Sequence, residues 1–269
     1  MSTAPDPRSN DKARRRRILE LVFMAIAVVA ALGALLAPPF SQPVSYNDFG
    51  DKRPLFGVPN AADVLSNVPF FLIALWGLWE AIRPRPDPYD TPLQYGFERW
   101  PFVLAFVAFA ATAFGSAYYH LAPDNFRLFW DRLPLTIVVV SIVAIVRDDR
   151  LGAGRGARYL LPYVLIGLLS IWHWRQTNAA GRDDMTPYLI VQIACALLIV
   201  VLIAFGPPRY THGRQLWYVV AWYAAAKALE LRDKEVFDAL GGLISGHTLK
   251  HLASAGAMAH LAYWLRVRR

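Results

Sequence analysis

Two histidines one helical turn apart, His247 and His251, open an apolar stretch late in the chain. Residues at i and i+4 share a helix face, so both imidazoles point the same way. An earlier apolar segment ends in Gly115-Ser116-Ala117-Tyr118-Tyr119-His120, and the next begins with Phe129-Trp130-Asp131-Arg132. Histidine, serine and aspartate side chains at lipid depth are expensive unless they act together. Neutral imidazoles from two or three helices suit a zinc ion, which in catalytic sites takes three protein ligands at roughly 2.0–2.1 Å and leaves a position for water. Such an ion lowers the pKa of that water toward about 7 and polarises a carbonyl. Asp131 is placed to take or relay the proton. Ser116, one turn before His120 on the same face, can donate to an oxyanion or hold a ligand in place. The spacing therefore predicts His120, His247 and His251 as metal ligands, with Ser116 and Asp131 as catalytic helpers.

The other histidines read differently. His260 lies nine positions past His251, about half a helical revolution away, and reads as an interhelical hydrogen-bonding residue. Neither His173 nor His212 is assigned a role. Thr248 follows His247, so the metalloprotease pattern H-E-x-x-H is absent, as is the G-x-S-x-G nucleophile elbow. Ser116 as a nucleophile beside His120 stays open as an alternative.

The composition says where such a site must be built. The chain has 269 residues, of which 56% are hydrophobic, and its mean hydropathy is +0.31. That is too apolar for an ordinary soluble domain and indicates an all-α integral membrane protein. The net charge is +8, but the basic residues gather at the ends of apolar segments, which argues for cytoplasmic loops and against a nucleic-acid partner. A single cysteine, Cys195, excludes an intrachain disulfide and any multi-cysteine metal site.

Hydropathy divides the chain into a basic tail at 1–17, an N-terminal transmembrane anchor at 18–37, an outer loop at 38–61 and a seven-helix domain at 62–269. The anchor is about as long as a spanning helix and ends in Pro38-Pro39 without a small-residue cleavage site, so it reads as uncleaved. Further spans are expected at about 62–82, 100–121, 129–147, 157–174, 186–206, 215–231 and 244–265. The span at 215–231 carries Lys227 and Glu230, which can pair at i, i+3 or line a headgroup pocket. Lys250 can reach a headgroup or snorkel outward. With eight spans and the N-terminus inside, eighteen basic residues fall in inside segments and eight in outside ones. That bias places both termini in the cytoplasm. His120, Asp131, His247 and His251 then all lie near the outer leaflet, although the histidines played no part in the count.

The elements Gly115-Ser116-x-x-x-His120, Asp131-Arg132-Leu133-Pro134 and His247-x-x-x-His251 resemble the alkaline ceramidase family. That family sits within a wider set of seven-helix membrane hydrolases that includes adiponectin/progestin receptors and haemolysin-III-like proteins. Ala62-Asp63-Val64-Leu65-Ser66-Asn67 also looks like the start of the first ceramidase core helix, and the resemblance spans about 46–266. It implies His120, His247 and His251 as zinc ligands, Ser116 and Asp131 as catalytic residues, and hydrolysis of the N-acyl bond of ceramide or a related acyl lipid held in the bilayer. The chain departs from the pattern by its extra 18–37 helix. Its outer loop also holds Asp48, Asp51, Asn60 and Asp63 where some ceramidases bind calcium. Oxygen ligands suit Ca2+, but their spacing fits poorly, and a solvated turn-rich loop is the competing reading.

Arginine and alanine usage suggests a bacterial gene and hence an inner-membrane location, which leaves the lipid substrate open. A receptor-like signalling protein with a structural zinc is the main alternative. A zinc transporter would need polar ligands across the whole bilayer, and the sequence supplies them only in the outer half.

Overall fold

The computed structural model describes residues 7–84, 93 and 96–269. Arg85, one of the basic loop residues, lies outside them. The described chain is all helical apart from one isolated antiparallel bridge between Leu55 and Val58. Helix α1 covers Pro7–Leu36, and a short pair follows as α2 (Ala61–Leu65) and α3 (Val68–Ile82). Then come α4 (Arg99–Leu121), α5 (Asn125–Leu151), α6 (Leu160–Ala179) and α7 (Thr186–Phe205). The chain closes with α8 (Gln215–Leu231), a short α9 (Asp233–Ala239) and α10 (Gly246–Val267).

Every expected apolar stretch is a helix, with ends shifted by a few residues. The first helix starts well before its apolar run, because Arg14 to Arg17 continue the same helical path. Among the described residues five stretches are long and apolar enough to cross a membrane: Ala13–Leu36, Ala61–Ile82, Gly96–Leu121, Asn125–Leu151 and Thr186–Phe205. Helix α10 falls below that standard through Gly246, His247, Lys250, His251 and His260, and α8 is only 17 residues long. In α10 the polar residues that make the helix interesting are what dilute its hydropathy. The α9 helix lies in a stretch expected to be loop.

Helix α4 packs along α5 and α3, α10 lies against α8 and α3, α7 against α5, α6 against both α5 and α7, and α1 against α7. The main apolar core runs through the bundle, with Phe102, Phe106, Phe109, Leu261 and Trp264 fully buried. A second cluster, containing Phe49, Tyr119, Leu128, Ile171 and Trp174, covers the end where α4 stops and α10 begins.

Two local sequence features bring α4 and α5 together there. Pro134, inside α5, has no N–H to offer the carbonyl of Trp130 four residues earlier. A β-carbon on Gly115 would stand 2.2 Å from that same carbonyl oxygen. Only glycine lets α4 come this close, and Ser116 follows it directly.

Candidate metal centre

Helix α10 is held at its first turn. Ser245 caps it by accepting from the Thr248 N–H at 3.0 Å. The His247 N–H donates to Asp233 Oδ1 at 2.7 Å, and the other oxygen of Asp233 accepts from the Gly50 N–H at 2.7 Å. A β-carbon on Gly246 would lie 2.4 Å from the Leu229 carbonyl oxygen, so the helix starts flush against α8. This fixes His247 and, one turn on, His251.

His120 arrives from the last turn of α4. Its carbonyl accepts from Asn60 Nδ2 at 2.8 Å. Phe49 lies over both His120 and His247, with ring centroids 4.8 and 4.5 Å away. The three imidazoles are all buried. Their ring centroids are 4.8 Å (His120–His247), 5.1 Å (His120–His251) and 4.9 Å (His247–His251) apart. One ligand atom from each lies within 4.8 Å of the others. Tetrahedral zinc with ligands near 2.05 Å separates them by roughly 3.3 Å, so the trio surrounds a site of ion size and needs only a modest contraction.

Two further observations test the fit. His120 Nδ1 is buried without a hydrogen-bond partner, a state that costs about 1–3 kcal/mol unless something else satisfies it. His251 is the opposite case. Its Nδ1 sits 2.6 Å from Ser66 Oγ, whose hydroxyl donates to the Asp63 carbonyl at 2.9 Å. The serine proton is thus committed, Nδ1 carries the imidazole proton, and Nε2 is left as the lone pair for a metal. The Asp63 carbonyl lies at the break between α2 and α3, where Asn67 Nδ2 also donates to it at 2.8 Å. His247 Nε2 lies 3.2 Å from Lys250 Nζ, and Glu230 holds that ammonium at 2.9 Å. These three histidines are the residues that can hold a metal. No ion identity follows from the donors alone, although three neutral imidazoles suit zinc well.

Ser116 is buried, and its hydroxyl donates to the carboxylate of Asp131, which is partly buried. The two predicted helpers therefore touch each other, on neighbouring helices, one turn from His120.

The oxygen set does not gather. Asp48 pairs with Lys52 and Lys234, and Lys234 followed by Lys52 hold its carboxylate down at about 2. Asp51 takes a fork of hydrogen bonds from Arg53, at 2.8 and 2.7 Å, and is held below the ordinary carboxylate range by it. Asn60 donates its amide to His120, as above. Asp63 is fully buried and accepts from Thr248 Oγ1 at 2.6 Å. Among the described residues the histidine trio is the only such group of metal-binding side chains. The carboxylates named for calcium are paired here with the protein's own cations and a hydroxyl.

Lys227 and Glu230 pair as expected, and Lys250 turns inward to join them. His260 bonds to the carbonyl of Gly256 on its own helix at 3.2 Å and borders an apolar cavity of about 370 Å3 with Tyr218, Ala221 and Trp222, away from the trio. Sequence reasoning missed Ser66, Asp233 and Phe49 as supports of the site. Each acts on a partner 14 to 198 residues away, and no local pattern marks it. No protein-family model matches the chain, and comparison with curated proteins returns no significant match.

Proposed function

We propose that this chain is a zinc-dependent membrane amidohydrolase that cleaves the N-acyl bond of ceramide or a related acyl lipid. The observation that carries the reading is the meeting of His120, His247 and His251 around one point, with a Ser116–Asp131 pair one turn away. In this reading α2–α3, α4, α5, α6, α7, α8 and α10 form the seven-helix domain and α1 is the added anchor. The basic-residue bias puts both termini in the cytoplasm and the histidines near the outer leaflet.

Held by His120, His247 and His251, a zinc ion would supply Lewis acidity to the acyl carbonyl and would lower the pKa of the attacking water. Asp131 takes the proton from the attacking water and returns it to the amine nitrogen as the C–N bond breaks, leaving a fatty acid and a free amine. Ser116, by donating to Asp131, orients that carboxylate, and its hydroxyl is also the donor nearest to a developing oxyanion. Phe49 and Tyr119 keep bulk water from the imidazoles.

Metal analysis and amine release on the purified full chain test this. Wild type is expected to hold one zinc per chain and to hydrolyse an acyl amide. His247→Ala loses both. Asp131→Asn keeps the metal and loses roughly 10²–10⁴ in rate. Wild type without stoichiometric zinc, or a fully active His247→Ala, overturns the proposal. Stoichiometric zinc without hydrolysis of any acyl lipid points instead to a structural metal in a signalling protein.

A further inference from the structure

Arg132 follows Asp131 and is only 6% exposed. Its guanidinium is walled by three aromatic rings from three separate elements: Tyr46 at 4.8 Å, Trp174 at 5.2 Å and Tyr188 at 5.3 Å. It also donates to the Tyr46 hydroxyl. Its Nη1 is buried with no hydrogen-bond partner. Stacking on ring faces satisfies the flat surfaces of a guanidinium but not its N–H edge, and a buried charged donor left open is costly.

The residues around it form a connected polar network. Tyr46 donates onward to Glu230 Oε1 at 2.9 Å, and Glu230 is shared by Lys227 and Lys250. Lys250 in turn reaches His247. A continuous polar chain thus runs from Arg132 through Tyr46, Glu230 and Lys250 to a residue of the metal centre. Three cations, Arg132, Lys227 and Lys250, face two carboxylates, Asp131 and Glu230. Within this group the open donor lies on the most buried cation.

We infer that Arg132 is a specificity-determining residue that receives an acidic group (phosphate, sulfonate or carboxylate) on the head of the acyl-lipid substrate. A guanidinium edge matches such a group with paired N–H donors. The rings keep the fork from turning away, and the open Nη1 gains its missing partner when the anion arrives. The substrate class is then an acidic N-acyl amphiphile rather than an uncharged one. This inference rests on the hydrolase reading for the word substrate, but the recognition itself is measurable without turnover.

The probes are N-dodecanoyltaurine, N-dodecanoylethanolamine and inorganic phosphate alone. Calorimetry on the detergent-solubilised full chain reads binding, and amine release reads hydrolysis. Wild type is expected to bind the sulfonate at least about tenfold more tightly than the uncharged amide. Arg132→Met brings that ratio to about one while leaving the affinity for the uncharged amide in place, and Arg132→Lys keeps part of the preference. A purely structural Arg132 would weaken both amides together and leave their ratio unchanged, which overturns the inference. So does a wild-type ratio near one, a measurement that stands even if Arg132→Met fails to fold. Inorganic phosphate that competes at concentrations comparable to the sulfonate amide overturns the headgroup assignment in favour of a free anion. If the preference holds but neither amide is cleaved, the hydrolase reading fails and the acidic-headgroup site remains.

Discussion

Where α4 stops and α10 starts, three imidazoles face one another, and one of them keeps an unpaired Nδ1. Where α4 starts and α10 stops, the same two helices end in a network built on two ion pairs, with Arg268 held among rings and its Nε buried without a hydrogen-bond partner. There Arg209 pairs with Glu98, and Tyr210 donates to the second Glu98 oxygen at 2.8 Å. Asp149 accepts from the Arg209 and Tyr210 N–H groups at 3.2 and 3.0 Å and pairs with Arg150. Arg268 lies over Tyr210, Trp264 and Phe102 at 4.1 to 4.7 Å. The difference separates two uses of buried polarity. Opposite charges that satisfy each other lock helices together, whereas like donors held together by outside supports are arranged for something that must come to them.

The charged end offers the largest effect. Removing one partner of a buried ion pair typically costs about 3–5 kcal/mol, because the other charge is left uncompensated. Glu98→Ala should lower unfolding stability in detergent by about that amount while leaving the zinc content unchanged. If it also strips the metal, the ends are coupled and the contrast fails.

A smaller effect is expected at the histidine end. Ser66→Ala removes the acceptor that sets the proton of His251, and losses of this kind weaken metal affinity by roughly 10–100-fold. Competition against a chelator should show that loss with almost no change in the stability of the metal-free chain. An equal fall in both would make Ser66 a packing residue.

The smallest effect belongs to the exposed loop that covers the histidine end. Asp48, held down at about 2 by Lys234 and Lys52, ties this loop to α9. An unfolded aspartate titrates near about 3.9. The folded group's pKa is depressed, so its contribution is complete above about pH 4 and is lost as the pH falls toward about 2. Limited proteolysis by an acid-tolerant protease should leave residues 44–60 uncut at pH 4 and cleave them progressively below it. Cleavage independent of pH would mean that the tether does not hold the loop.

Much of this was legible from one chain of letters. Long apolar runs have no choice but helix when backbone groups must be satisfied within the segment. Two histidines four residues apart must share a helix face, and Gly115 beside Ser116 marks a close approach. Composition alone misjudges a helix that carries polar chemistry, which is why α10 falls short of the spanning standard that α7 meets. The partners of the loop carboxylates were not legible for a related reason: carboxylates in a loop look alike until their partners are seen, and Lys234 and Thr248 are far away in sequence.

The sequence by itself determined the helices, the face shared by His247 and His251, and the chemical types available to a site. Tertiary structure alone decided that His120 meets them, that Ser66 sets the proton of His251, and that Arg132 is boxed by rings from three other elements. The reason is physical. Periodicity fixes the direction of a side chain relative to its own helix, whereas packing between helices decides what that side chain meets.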